Sequence, residues 1–371
     1  MTVSSDYKRG PRVCMHTRGN ERCDRRAFIA GAAAGLLGGA CSAFRPRPTG
    51  VNESKSRENT VSFVTGSDRR EMIIRALVPL EQEIRAGVKG KQVVIKSNLV
   101  GPDPFCAAHV DAVRGVLDFL EPIYGKKVIV GDSTGRLYPG PVGTWKHFEV
   151  HGYLALPKEY RVKLLDLNDR PTKVRWILDE NIRPRPINII DTFLDPDVYL
   201  ISLARLKTHG DVIATLSVKN IVMGSPISHY RQAKAEGRNE KGFMHAGGLA
   251  NIHYNIFLVA RHARPSLCVL DGLVGMEGNG PTAGTAVEHG IALAGTDMVA
   301  VDRVALELMG IPFEDVGYLT YCAQAGFGEG NLGNIRIVGP PLAGHTRTYK
   351  LHDNIARQLT WKDGVPPEIK R

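Results

Sequence analysis

The chain lacks the cysteine spacing of a thiolate-bound metal site. Three of its six cysteines fall in the first 41 residues, and the other three, Cys106, Cys268 and Cys322, are widely separated. With no pair of them at a ligand spacing, an iron–sulfur cluster or a structural zinc–thiolate site is excluded. An oxidising compartment would permit one disulfide among them and leave one thiol unpaired. Cys268 lies in an apolar run and is predicted to be a buried strand residue.

The signatures of nucleic-acid and nucleotide binding are also missing. There is no arginine-rich run and no stripe of basic and aromatic residues, so no nucleic-acid partner is expected. The stretch 275–284 resembles a phosphate cradle only loosely, because it has neither the Lys-Ser/Thr pair of a P-loop nor a dinucleotide spacing. Nucleotide binding is therefore not expected. The sequence shows no internal repeat and no second hydrophobic span beyond residue 44.

An adjacent arginine pair, Arg25 and Arg26, precedes a weakly apolar stretch that ends at Phe44. This order is typical of a twin-arginine export signal. A permanent membrane anchor needs about twenty strongly apolar residues, and this stretch is rich in glycine and alanine instead. We expect residues 1–43 to be the signal and the twin-arginine translocase to be a partner during export. The mature protein is expected in the periplasm or on the outer face of the cytoplasmic membrane.

Two outcomes of signal processing stay open: lipid attachment at Cys41, or cleavage without a lipid. Cys41 follows small residues, which is typical of lipid attachment after cleavage, although Gly38 stands where such signals usually carry leucine. Otherwise cleavage would fall near Ala43. Contact with the membrane is expected only through the signal or through a lipid on Cys41. Removal of residues 1–43 takes away seven basic and three acidic residues, so the formal charge falls from +10 to about +6, which suits a small anionic ligand.

Beyond a polar linker, residues 44–60, the hydrophobic pattern alternates between strand and helix periods. The predicted strands are 61–64, 93–95, 127–130, 162–166, 198–203, 267–270 and 291–293. The predicted helices are 68–84, 109–124, 246–261 and 297–309. This alternation is typical of an α/β fold with a mostly parallel sheet and helices on both faces. Residues 61–340 would form a single large α/β domain, as one body or as two intimately packed lobes, and residues 341–371 a C-terminal tail.

Polar residues follow five of the predicted strands. In parallel α/β sheets the ligand crevice lies beyond the carboxyl ends of the strands, so these residues are predicted to share one rim. The rim residues are Lys96, Asn98, Asp132, Lys207, His209, Glu277, Asn279 and Asp297.

Six motifs in this order resemble one protein family, catalogued as domain of unknown function 362. They are Lys96-Ser97-Asn98-Leu99-Val100, Gly131-Asp132-Ser133, Leu206-Lys207-Thr208-His209-Gly210, Val218-Lys219-Asn220-Ile221, Asp271-Gly272-Leu273 with Glu277-Gly278-Asn279-Gly280-Pro281, and Thr296-Asp297-Met298-Val299-Ala300-Val301-Asp302. The resemblance covers about residues 60–338 and implies a fold and a site, but no reaction. Some members carry an added ferredoxin-like cysteine segment; this sequence has none, so electron transfer is not implied.

Three lysines, Lys96, Lys207 and Lys219, would bring three ammonium groups to the rim, which is costly unless anions offset them. A carboxylate or phosphate ligand would do so. The residues predicted to bind such a substrate are Asn98, Lys219, Asn220, Glu277, Asn279 and Asp297. In the alternative, Asp132 and the other rim carboxylates neutralise the lysines in a purely structural network.

His209 is predicted to be a general base, because cationic neighbours such as Arg205 and Lys207 would keep its imidazole unprotonated. Together with Lys207, Lys96 and Asp132 it forms the predicted catalytic group. The alternative is a histidine that is hydrogen-bonded in the core.

Histidines also permit a divalent metal such as zinc or nickel, for which the candidate ligands are His209, His229 and His245. The polar segment 225–243 is predicted to be a mobile loop that closes over the site. His147 and His151 stand four residues apart on a predicted helix, and a surface pair is the more ordinary interpretation.

Two hypotheses follow from the sequence. In the first, the protein is an enzyme that performs acid–base chemistry on a small anionic substrate, with or without a metal. In the second, it is an exported ligand- or metal-binding protein that performs no catalysis.

Overall fold

The computed structural model describes residues 59–101, 103–134, 143–228 and 239–364. These residues belong to one compact unit, Glu53–Arg371. The predicted export signal, Cys41 and nearly all of the predicted linker lie outside the described residues. Over the described ranges, no helix combines the length and the apolar character needed to cross a bilayer.

Strands and helices alternate along most of the described chain. The strands are β1 (Thr60–Thr65), β2 (Gln92–Ser97), β3 (Val128–Asp132), β4 (Val162–Asp166), β5 (Thr172–Leu178), β6 (Pro184–Ile190), β7 (Val198–His209), β8 (Ile213–Thr215), β9 (Leu267–Asn279), β10 (Ala283–Gly295) and β11 (Arg336–Val338). The α-helices are α1 (Arg69–Leu77), α2 (Glu81–Val88), α3 (Val110–Leu120), α4 (Thr144–Val150), α5 (Leu156–Glu159), α6 (Ser217–Gly224), α7 (Gly248–Ala260), α8 (Met298–Met309), α9 (Gly317–Gln324) and α10 (Ile355–Leu359).

Nine strands form one sheet in the order β11-β1-β10-β9-β7-β2-β3-β4, with β8 paired to β7, and β5 pairs with β6 in a separate hairpin. The run from β9 through β7, β2 and β3 to β4 is parallel. β10 is antiparallel to both β9 and β1. The predicted α/β fold with a mostly parallel sheet is thus confirmed.

The two faces of the sheet bury separate hydrophobic clusters. Along β7, Ala204 and Leu206 belong to one cluster, while Ile201 and Leu203 belong to the other. Helices α6 to α9 contribute to the first cluster and α1 to α5 to the second. Because both faces of the central strands are covered, those strands read as nearly continuous apolar runs that end in polar residues.

One predicted helix, 68–84, is interrupted. Asp68 caps α1 as expected, since its carboxylate accepts a hydrogen bond from the backbone N–H of Glu71. The chain then passes through a 3₁₀ turn, Val78–Leu80, before α2 begins. Pro79 lacks a backbone N–H and cannot continue the α-helical hydrogen bonds, which explains the break.

The longest difference from the sequence prediction is the hairpin of β9 and β10. Both strands extend well beyond the predicted segments, and Glu277 pairs with Thr285 across the hairpin. Gly275 lies in β9, where it packs against Tyr349. A Cβ atom at Gly275 would come within 2.3 Å of the Tyr349 hydroxyl, so the absence of a side chain permits this packing.

The direction of β10 makes the prediction of five strand ends on one rim wrong. β10 runs antiparallel to β9, and its last residue, Gly295, pairs with Cys268 near the start of β9. Asp297 therefore lies at the opposite edge of the sheet. There its carboxylate accepts hydrogen bonds from the backbone N–H groups of Val299 and Ala300 and caps α8. Caps of this kind stabilise by about 1 kcal/mol.

The C-terminal residues, predicted to be a tail, pack against the domain as far as residue 364. Tyr349 and Trp361 are buried. Gln358 Oε1 accepts a 2.7 Å hydrogen bond from the backbone N–H of Ile213, and Asn354 Nδ2 donates one of 2.8 Å to the carbonyl of Gly210. Both contacts hold the short connection between β7 and β8, next to His209.

Candidate functional site

A cavity of about 350 Å³ lies beyond the carboxyl ends of β2, β3 and β7. The predicted site residues that line it are Lys96, Asn98, Asp132, Lys207, His209, Lys219, Asn220 and His245. All four residues of the predicted catalytic group are among them. The volume is that of a pocket for a small molecule.

A buried ion pair forms the floor of the cavity. Lys96 Nζ lies 2.9 Å from Asp132 Oδ1 and donates hydrogen bonds to Asn220 Oδ1 (2.8 Å) and to the carbonyl of Ser97 (2.7 Å). The other oxygen of Asp132 accepts the backbone N–H of Leu99 at 2.7 Å. The pairing of β2 with β3, in which Lys96 lies opposite Gly131, brings the two charges together.

Helix α6 carries Lys219 and Asn220 to the same place. Its first backbone N–H groups, those of Ser217 and Val218, donate to the buried carboxylate of Asp302 at 2.9 and 3.0 Å. At the other end of the helix, a Cβ atom on Gly224 would lie 2.5 Å from Cε of Lys96. A side chain at position 224 would therefore displace the end of the Lys96 side chain from its present position.

Four lysines line the cavity, namely Lys96, Lys207, Lys219 and Lys241. Burial, together with the neighbouring ammonium of Lys219, lowers the pKa of Lys207 to about 7. Burial also lowers the pKa of Lys219 to about 8, against an opposing effect of Asp211. For Lys241, burial and the charge of Lys96 lower the pKa to about 7. Near neutral pH these three side chains therefore exchange protons readily.

His209 lies on the cavity wall at the end of β7. Its Nδ1 accepts a 3.0 Å hydrogen bond from the backbone N–H of Asp211. Burial, and then the charge of Lys219, hold its pKa well below the usual range, so the ring is neutral. With the lone pair of Nδ1 engaged, the single proton of the neutral ring resides on Nε2. In this neutral ring the free nitrogen, Nε2, is a hydrogen-bond donor rather than a base.

Glu277 and Asn279, predicted to bind substrate, do not line the cavity. Because β9 continues past the rim, both reach the C-terminal segment. Glu277 accepts the backbone N–H of Lys350 at 2.8 Å. Asn279 exchanges two hydrogen bonds with Asp353, of 2.8 and 3.0 Å. Asp297, the third such residue, is the cap at the opposite edge of the sheet. The prediction that Asp297 lies on the rim was wrong; the predicted substrate-binding roles of Glu277 and Asn279, at the carboxyl end of β9, stay predictions.

The histidines are dispersed. His245 lines the cavity, with Nδ1 3.4 Å from a carboxylate oxygen of Asp211, while His229 lies outside the described residues. Among the residues described, no three His, Cys, Asp or Glu side chains form a group that could hold a metal ion. His147 is fully buried, contrary to the predicted surface pair, and His151 Nε2 lies 2.9 Å from the carbonyl oxygen of Gly101.

The three cysteines beyond the signal region are buried and unpaired, and Cys268 is a strand residue as predicted.

Lys241 is a charged cavity residue that was not predicted from the sequence. It belongs to the segment predicted to be a mobile loop, but residues 240–245 form a 3₁₀ helix. The carboxylate of Glu240 anchors this helix by accepting hydrogen bonds from the backbone and side chain of Asn188. The part of the predicted loop from 229 to 238 lies outside the described residues. The sequence around a lysine in a polar stretch does not indicate whether its side chain packs against the sheet.

We predict that Lys96→Met lowers the free energy of unfolding by about 3–5 kcal/mol, because it leaves the Asp132 carboxylate buried without its counter-ion. Adding Asp132→Asn should recover part of that loss. The exposed pair of Lys146 and Glu149 has the same 2.9 Å separation and is the matched control. Lys146→Met should cost less than about 1 kcal/mol. Urea denaturation followed by circular dichroism measures all three variants; a Lys96→Met protein as stable as the wild type would refute the assignment.

Comparison with known proteins places this arrangement in a family. The profile of a domain of unknown function (DUF362) matches residues 93–307, from β2 into α8, and includes all four cavity lysines. A thylakoid-associated protein of Synechocystis sp. is 26% identical over 226 residues, which cover 59% of this chain and 63% of that protein. The chain thus spans less than two thirds of that relative's length.

A crystal structure of a Thermotoga maritima protein aligns with a TM-score of 0.36 and 12% sequence identity, over 57% of this chain and 52% of that one. The family profile extends over more than half of the chain and includes most of the motifs that suggested the resemblance. The protein therefore belongs to the DUF362 family.

Proposed function

We propose that the cavity binds a small carboxylate- or phosphate-bearing molecule and transfers protons on it. The observation that carries this proposal is the charge of the lining. Among the described residues, four lysines and a single carboxylate, that of Asp132, line the cavity, and Asp132 is already paired with Lys96. Three further ammonium groups are costly to bury together unless an anion accompanies them.

A bound anion would offset that cost directly. The pKa values of Lys207, Lys219 and Lys241 are lowered by burial, with smaller contributions from neighbouring ammonium groups. An anion among them favours the protonated amines and so raises these pKa values towards their ordinary range. Ligand binding and lysine protonation are therefore coupled.

The proton-transfer roles follow from the hydrogen bonds. His209 presents Nε2–H to the cavity and suits donation to an oxygen of the ligand. Lys207, with a pKa of about 7, is neutral in a large fraction of molecules at neutral pH and suits the acceptance of a proton from carbon. Lys96 and Asp132 hold the floor of the site and do not exchange protons in this scheme. The expected base thus moves from His209 to Lys207. The divalent metal suggested by the histidines stays a prediction.

We predict that oxalate, which keeps its double charge above neutral pH, binds in the cavity with an affinity that falls at least about tenfold between pH 6.5 and pH 8.5, as Lys207 and Lys219 lose their protons. Lys207→Met should weaken binding at pH 6.5 by about tenfold, or about 1.4 kcal/mol. Lys158→Met removes the same charge from the exposed surface and should leave affinity unchanged. Isothermal titration calorimetry measures each case, and equal losses in the two variants would contradict a specific site.

The second candidate is a binding protein without catalysis. It is favoured by the hydrogen bonds that Lys207 and Lys241 make to backbone carbonyl groups, since such bonds suit ammonium groups that hold a ligand in place. The two candidates differ in turnover.

We predict that the wild-type protein accelerates exchange of carbon-bound hydrogen in pyruvate or malate, observed by proton NMR in deuterated water. His209→Ala should slow this exchange by about 10²–10⁴-fold, because it removes the donor that stabilises the developing oxyanion. The oxalate affinity of the variant should stay close to that of the wild type. Binding of oxalate with no exchange above the buffer rate would favour the binding protein.

Export by the twin-arginine route is part of the proposal. It is supported by Arg25 and Arg26, which are followed by the weakly apolar stretch. In this proposal the mature protein acts in the periplasm or on the outer face of the cytoplasmic membrane. Membrane contact is through the signal or a lipid on Cys41.

We predict that residues 1–60 direct a fused, folded reporter out of the cytoplasm of a bacterium that has the twin-arginine translocase. Replacing Arg25 and Arg26 together by lysine should retain the reporter in the cytoplasm, because the translocase reads the pair itself and not its charge. Cell fractionation measures the distribution. A Ser4→Ala fusion is the control, and unchanged export of the double-lysine variant would rule out this route.

A further inference from the structure

The four cavity lysines differ in what their ammonium groups contact. Lys96 Nζ is held by Asp132, Asn220 and a backbone carbonyl. Lys207 Nζ donates a 2.7 Å hydrogen bond to the carbonyl of Cys106. Lys241 Nζ donates to three backbone carbonyls at 2.6 to 3.1 Å. Each of these three amines is oriented by protein oxygen atoms.

Lys219 is the exception. Its side chain is 7% exposed and lines the cavity, yet among the described residues Nζ has no hydrogen-bond or ion-pair partner. It is the third residue of α6, next to Asn220, whose amide is locked to β2. A rigid helix therefore delivers one unengaged amine into a cavity whose other amines are engaged.

We infer that Lys219 is a nucleophile that forms an imine with the carbonyl carbon of a small anionic oxo acid bound in this cavity. The inference rests on the anion binding proposed above and names the substrate class: a carboxylate that also carries an aldehyde or ketone group. Held ammonium groups bind the carboxylate, and the unengaged amine faces the carbonyl.

The reaction balances with groups on the cavity wall. The lone pair of neutral Lys219 Nζ forms a bond to the carbonyl carbon, and the carbonyl π electrons move to oxygen, where His209 Nε2–H donates a hydrogen bond to the developing oxyanion. The nitrogen, now positively charged, loses a proton to the neutral amine of Lys207, which passes it to that oxygen. A second proton, which Lys207 takes up from solvent, is transferred to the resulting hydroxyl group; this group leaves as water while the nitrogen lone pair forms the C=N bond of a protonated imine. His209 keeps its proton throughout, and no oxidant or reductant is involved.

The surroundings of Lys219 favour the neutral amine that this step needs. Burial acts first and the charge of Lys96 adds to it, while Asp211 opposes both. Desolvation beside another cation is a general way to activate a lysine for carbonyl chemistry. Before an anion binds, its neutral fraction at pH 7 exceeds that of an ordinary surface lysine by about two hundred-fold, and a bound carboxylate reduces this advantage.

The protonated imine would in turn serve the proton transfer proposed for the site. A C=N⁺ group withdraws electrons from the adjacent carbon more strongly than a carbonyl group does, so a proton on that carbon is removed more easily. Lys207, on the same cavity wall, would accept it. The substrate class and the acid–base chemistry are thus consistent with each other.

Reductive trapping tests the inference. The purified protein is incubated at pH 7 with glyoxylate and sodium cyanoborohydride, and the modified lysines are identified by peptide mass spectrometry. Lys219 should be modified on the order of a hundred times faster than the exposed Lys158. Oxalate, which has no carbonyl carbon able to form the imine, should slow the modification by competition.

Two variants complete the experiment. Lys219→Arg keeps the positive charge and should bind oxalate but lose the fast modification, and Lys219→Met should lose it as well; circular dichroism verifies that both are folded. Fast modification that persists in Lys219→Arg, or equal modification of Lys219 and Lys158, would overturn the imine while oxalate binding left the proposed function standing. Absence of both oxalate binding and fast modification would overturn both.

Discussion

The structure depends on keeping several lysine side chains out of water at one edge of a sheet. An ammonium group loses several kcal/mol of hydration when it is buried, and protein oxygen atoms must replace that water. At Lys96 the replacement is complete, with a carboxylate, a side-chain amide and a backbone carbonyl in place. Many other features of the site follow from that requirement, including the course of α6 across β2 and the glycine at position 224.

The replacement differs among the other three lysines. Lys241 Nζ has three backbone carbonyls and Lys207 has one, whereas Lys219 has none among the described residues. The cavity thus presents a gradient, from a fixed ion pair to amines whose protonation depends on what is bound. A site of this kind senses the charge of its occupant, because binding and protonation change together. This coupling of binding and protonation is compatible with either candidate function. It also allows the same rim to hold lysines that position a ligand and lysines that exchange protons with it.

Sequence patterns predicted the part of the site that depends on parallel strands. Lys96, Asp132 and Lys207 follow apolar runs, and the ends of parallel neighbours meet by geometry alone. Asp297 follows an equally clear run, but nothing local records that β10 is antiparallel. Lys241 was not predicted for a related reason. Its place in the cavity depends on how the 3₁₀ helix 240–245 packs against the domain, and no local pattern records that packing.

The tautomer of His209 could not be predicted from the sequence either. Residue type predicts that the ring is neutral among cations, but the choice of nitrogen depends on one backbone contact. That contact is the N–H of Asp211, two residues further along. A change in the tautomer reverses the chemical role, from base to acid, without moving the residue. The sequence pattern therefore predicts where His209 lies, whereas one hydrogen bond determines which of its ring nitrogens carries the proton.

The contacts of Gln358 and Asn354 with the connection between β7 and β8 have a consequence for biosynthesis. Ile213, the first residue of β8, adopts a φ of 70°, a conformation that β-branched residues rarely take and that costs about 1–3 kcal/mol. Its N–H is held by a side chain 145 positions later. While a ribosome is still making those later residues, the wall that carries His209 lacks its support. The hydrogen bond that supports this wall of the cavity can therefore form only after translation has passed α10.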